Sequence, residues 1–216
     1  MIHNAQFKQF EFVILFTIIP LLFVLHMIPL GFLMPMLWLM SLYAMLVLKA
    51  THHDFSFLGF KKNQFIFTLL RFILLGAVFT FLSYFYHPEA FFHMVKNEMQ
   101  LFILLLLLYP LISVLPQELL YREFFFSRYH WKLSVQNQIM LNAVIFSWAH
   151  SAFDSIIVFA LTLFVGLLFA QTYLRNRSFI LVCIEHTLFG YLLFTSGMGE
   201  LFFQSGSLDL LRSITG

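Results

Sequence analysis

The chain has 216 residues, of which 61% are hydrophobic and 10% charged, with 31 Phe and a net charge of +2. A soluble domain carries roughly 25% charged residues, so the excess of apolar side chains points to lipid as the solvent, and the small net charge with no basic run excludes a nucleic-acid binder. The single cysteine, Cys183, excludes an internal disulfide and reads as packing in an apolar run.

A helix needs roughly 20 apolar residues to cross the hydrocarbon core. In chain order the apolar runs predict spans over 12–29, 31–48, 65–86, 100–128, 137–153, 156–174 and 178–196. The first run has no small-residue cleavage site after it and is expected to stay as a helix. It joins the second tightly through Pro29 and Gly31. The expected fold class is therefore all-α: a polytopic transmembrane helical bundle of about seven spans, forming one domain over 1–216.

Basic residues give the orientation. One side collects Lys8, Lys49, Lys61, Lys62, Arg71, Arg122, Arg128, Lys132, Arg175 and Arg177, and the other only Lys96 and Arg212. This places the N-terminus in the cytoplasm and the C-terminus outside. The compact, all-membrane layout fits a prokaryotic inner membrane. Arg128, Tyr129, Trp131 and Lys132 read as an interfacial belt.

Ionisable groups inside spans are expensive and usually face the bundle interior. The fourth span carries Gln117, Glu118 and Arg122, the fifth His150, and the seventh Glu185 and His186. At a rise of about 1.5 Å per residue, Gln117, His150 and His186 lie roughly 16, 20 and 12 Å from the basic ends of their helices. Helices running in opposite directions thus bring these groups to similar levels, in the cytoplasmic half, and predict one shared site. Glu118 and Arg122, four apart, can pair along one helix face.

The segment Pro116-Gln117-Glu118-Leu119-Leu120-Tyr121-Arg122 resembles the EExxxR motif of the CPBP family of intramembrane proteases, which includes the CAAX-processing Rce1-type enzymes and Abi proteins. Phe146-Ser147-Trp148-Ala149-His150 is similar to that family's FxxxH motif, and His186 falls where its HxxxN motif begins. The resemblance covers about residues 100–200. It implies a helical membrane protease with a cavity open to the cytoplasm, in which a glutamate and a histidine activate water while a second histidine, helped by an asparagine, stabilises the oxyanion. Two positions depart from it: Gln117 stands for the first Glu and Gly190 for the Asn. An amide is no general base.

The expected function is an intramembrane endopeptidase that hydrolyses a peptide bond of a membrane-associated protein or lipidated peptide. Glu118 is expected as base, assisted by His150, with His186 donating to the oxyanion. Gln117 would orient water or the substrate carbonyl. Glu185 is a second candidate base; otherwise it fixes a histidine tautomer or pairs with Arg175 or Arg177. No cofactor is required by this scheme, yet one Glu and two His also make a catalytic zinc set, so metal-assisted hydrolysis stays open. The expected partners are membrane lipid and the substrate, and no nucleic acid. From a different class, the two departures fit a catalytically inactive relative that serves as scaffold or substrate binder.

Overall fold

The computed structural model describes residues 4–54, 59–129 and 132–202. They are all-helical, and seven rods account for the seven predicted spans: α1 (Ala5–Val24), α2 (Leu30–Ala50), α3 (Lys62–Tyr86), α4 (Met99–Arg128), α5 (Val135–His150), α6 (Ile156–Asn176) and α7 (Phe179–Thr195). Five are long and apolar enough to cross a membrane by themselves. The other two, α5 and α7, have 16 and 17 residues and pack within the bundle. Trp131 and Arg212 lie outside the described residues.

The protein is an integral membrane bundle, and its packing is inverted accordingly. Leu70, Leu74, Phe81 and Phe85 of α3 are left open along one face of the rod, where lipid is the solvent. Charged and polar groups such as Glu118, Arg122, Asn142 and Glu185 are fully buried. Apolar burial gives little drive between helices in lipid, so close packing and interior hydrogen bonds must hold the rods together. Between α5 and α6 the contact is close: a Cβ on Gly166 would stand 3.3 Å from Ala143 Cα. Small residues on both sides permit it.

The fourth rod is irregular for a reason that sequence supplies. Pro110 and Pro116 have no N–H to give to the carbonyls four residues earlier. Wide π turns follow, at Pro110–Val114 and Leu119–Phe124. In lipid each carbonyl so released needs another donor. Trp38 Nε1 of α2 donates to the Ile112 carbonyl at 3.0 Å, and the Tyr191 hydroxyl of α7 donates to that of Leu106. Ser41 Oγ of α2 adds a bond to the Pro116 carbonyl at 2.8 Å. Replacing Trp38 by Phe keeps most of the ring but strands the Ile112 carbonyl. The expected cost is about 1–3 kcal/mol, seen as a lower Tm in detergent.

One expectation is revised here. Arg128 and Tyr129 are not an exposed belt: both are buried, with Arg128 Nε 2.8 Å and the Tyr129 hydroxyl 3.1 Å from the Glu11 carboxylate. Tyr43 of α2 donates to the same carboxylate at 2.6 Å. This network explains why α1 extends back through polar residues to Ala5, well before the apolar run begins.

Candidate active site

Glu118 sits in α4 between the two wide turns and is fully buried. Its two oxygens serve two partners. Oε1 accepts from His186 Nδ1 of α7 at 2.7 Å. Oε2 stands 3.3 Å from Arg122 Nε, an ion pair by distance although the angle is too poor for a hydrogen bond. Arg122 is fixed in turn from α5, where Asn142 Oδ1 accepts from its Nη1 at 2.8 Å. The Asn142 amide donates to the Tyr121 carbonyl at 2.6 Å. Below the guanidinium lies the Phe146 ring, 4.6 Å away, a cation–π contact in a desolvated setting.

A cavity of about 730 Å³ opens beside this group. Gln117, His150 and His186 line it, with Tyr109, Ser113 and Gly190. Most of its other wall is Leu, Met, Val and Phe. Helices α4, α5 and α7 bring three of the singled-out residues to one cavity and place Glu118 directly behind His186. Glu118 itself is not part of the cavity wall.

The hydrogen bonds on the far nitrogens set the tautomers of both imidazoles. His186 Nδ1–H donates to Glu118. His150 Nδ1–H donates to the Phe146 carbonyl at 2.7 Å. When neutral, both rings thus carry the lone pair on Nε2. Phe146 lies between them, its ring centroid 4.6 Å from that of His150 and 5.9 Å from that of His186. Phe169 stacks on the His186 ring at 4.7 Å and fixes its plane.

Glu185 is held elsewhere. Its carboxylate pairs with Arg71 of α3 and accepts from Thr172 Oγ1 of α6 at 2.6 Å. Neither Arg175 nor Arg177 is its partner. Adjacent helix positions point about 100° apart, so with His186 facing the cavity Glu185 faces α3 and α6. Gln117 does face the cavity, and its Nε2 donates to Ser113 Oγ at 2.7 Å. Among the described residues no group of three or more His, Cys, Asp or Glu is arranged to hold a metal ion.

Sequence reading passed over Tyr109. A Cβ on Gly190 would fall 2.5 Å from the Tyr109 hydroxyl and closer still to its ring. The absence of a side chain at 190 is thus what admits this phenol to the site. Its ring meets His186 edge-on, with centroids 6.0 Å apart. Among the described residues no side chain engages its hydroxyl. The signal in the sequence was Gly190 itself, a missing side chain where the motif pattern calls for a polar one.

Most of the cavity wall lies in the parts of the rods away from the basic residues, with Gln117 and His186 near mid-rod.

Residues 99–192 match the sequence model of the Rce1-like family, described as type II CAAX prenyl endopeptidase Rce1-like. The match runs from the start of α4 into the last turns of α7 and so spans all three motif positions. Comparisons with curated proteins and with solved structures gave no match.

Proposed function

We propose that this chain, similar to Rce1-like proteases across residues 99–192, is an intramembrane endopeptidase in which a Glu118–His186 dyad activates water. The observation that carries the reading is the 2.7 Å bond from His186 Nδ1 to Glu118, with the rest of the imidazole on the cavity wall. A carboxylate behind an imidazole holds its tautomer and stabilises the imidazolium that forms when it takes a proton. Arg122 gives the Glu118 carboxylate a counter-charge, and Asn142 keeps Arg122 in place.

Water hydrogen-bonds to Nε2 of both His186 and His150. His186 takes one proton as the water oxygen attacks the peptide carbonyl carbon. The carbonyl oxygen becomes an oxyanion and needs donors. Both imidazoles start as acceptors, so the donors come from the Gln117 amide and the Tyr109 hydroxyl. As the tetrahedral carbon collapses, the C–N bond breaks and His186 passes its proton to the leaving nitrogen. The products are a carboxylic acid and an amine. In this scheme the carboxylate expected as base acts through the histidine in front of it, and a glutamine at 117 is a donor rather than a lost base.

The test is turnover by the purified protein in nanodiscs, using two internally quenched peptides, one farnesylated and one carrying an apolar helix. Wild type is expected to cleave at least one, and His186→Ala neither. A silent wild type that gains activity with Gln117→Glu would transfer the reading to an inactive relative of the family, which Gln117 on the cavity wall otherwise favours.

Removing the Tyr109 hydroxyl as Tyr109→Phe is expected to lower kcat by about 10²–10³-fold, with KM little changed. Gly190→Ala pushes the phenol out and should lower kcat comparably. Because both changes remove the same donor, the double variant should lose little more than either single one. Additive losses would remove Tyr109 from the reaction.

A further inference from the structure

The cavity belongs to one end of the bundle. Odd-numbered rods run away from the basic end and even-numbered rods return to it. The cavity wall starts at residue 19 in α1, 75 in α3, 146 in α5 and 186 in α7. It stops at 40 in α2, 121 in α4 and 169 in α6. Most of the wall thus comes from the portions of the rods away from the basic end. Of the basic-end thirds only that of α4 contributes, through Tyr121.

Toward the basic end a smaller cavity of about 170 Å³ lies between α3 and α6, lined by Thr68, Arg71 and Arg175 among others. Three buried polar clusters tie the rods together at that end. Glu11 joins α1, α2 and α4 through Tyr43, Arg128 and Tyr129. Glu123 of α4 accepts from Tyr173 of α6 at 2.9 Å and pairs with His53, just past α2, at 2.6 Å. Glu185 joins α7 to α3 and α6 through Arg71 and Thr172. A substrate arriving from that end would have to break them.

The two ends differ in charge. Lys8, Lys49, Lys61, Lys62, Lys132, Arg175 and Arg177 mark the basic end. At the cavity end, among the described residues, Glu89, Glu98 and Asp154 face only Lys96. Basic ends stay in the cytoplasm. We infer that the cavity opens toward the extracytoplasmic face, and that its substrate is a membrane-anchored protein cut near the outer end of its apolar anchor. The apolar wall takes the anchor, a helix or a lipid chain, while the polypeptide beyond it reaches His186 from outside. This rests on the protease reading for the cleavage but not for the side of access.

Two glycines offer clean probes of access. A Cβ on Gly31, on the cavity wall, or on Gly59, at the basic end, meets nothing within 4 Å. Gly31→Cys and Gly59→Cys are made in the full chain with Cys183→Ala, and intact cells are treated with a membrane-impermeant maleimide. Gly31→Cys should label in intact cells and Gly59→Cys only after permeabilisation. The reverse pattern, or labelling of Gly59→Cys from outside, overturns the inference. Reporters carrying a candidate cleavage segment at the outer or inner end of a transmembrane span, or of a lipid anchor, then test the substrate class. Cleavage at the outer end is expected, on whichever anchor the cavity takes, and cleavage at the inner end refutes it. If labelling is as expected but no reporter is cut, the side of access stands and the protease reading fails, because labelling does not depend on turnover.

Discussion

Replacing His186 by Asn is expected to lower kcat by about 10⁴-fold, the scale seen when a catalytic base and its carboxylate are uncoupled. The variant keeps the Glu118–Arg122 pair intact, so its Tm should stay close to that of the wild type. Glu118→Gln should lose a similar share of turnover by a different route: the imidazole then lacks the carboxylate that fixes its tautomer. That change also leaves Arg122 buried without its counter-charge, which costs about 3–5 kcal/mol, so Tm falls as well. Measuring kcat and Tm together separates the two effects. His186→Asn retaining more than a tenth of wild-type kcat would remove the dyad from the mechanism.

Glu185 yields the second large effect, on stability instead of chemistry. Glu185→Leu leaves Arg71 as an uncompensated cation among α3, α6 and α7, again at about 3–5 kcal/mol. Arg71→Leu alone strands the carboxylate and should cost as much. The double replacement removes both charges, and buried pairs exchanged for apolar residues of similar size are often neutral. Its Tm should therefore recover most of the loss, and its kcat should match the wild type because neither group lines the cavity. Were Glu185 the base, the double variant would fold and yet be inert.

The rods were legible because a bilayer imposes a length and a composition on whatever crosses it. Even so, α1 was read to begin near residue 12, since Gln6, Lys8, Gln9 and Glu11 interrupt the apolar pattern. Their helix is held by partners 32 to 118 residues away, which no local pattern carries. The same holds inside the site. Depth arithmetic along α4, α5 and α7 brought Gln117, His150 and His186 to one level. It did not say that Glu118 would face inward to His186, or that Glu185 would turn to Arg71. A helix sequence gives the angle between neighbouring side chains but not which rod each will meet. Asn142 and Tyr109 escaped notice for that reason: each matters only through a residue on another helix, Arg122 for one and the bare Gly190 for the other.

The prolines of α4 have a consequence for how the protein is made. Inserted alone into a bilayer, α4 exposes the Leu106 and Ile112 carbonyls without donors, each at a cost of several kcal/mol in hydrocarbon. Their donors arrive from opposite directions in synthesis. Trp38 belongs to a helix already in the membrane, whereas Tyr191 belongs to the last rod. The helix that carries Glu118 is thus half completed by what precedes it and finished only when α7, which carries His186, docks. Assembly of the two halves of the dyad and closure of the backbone around it become the same event, so a chain truncated before α7 should be recognised as unfinished by membrane quality control.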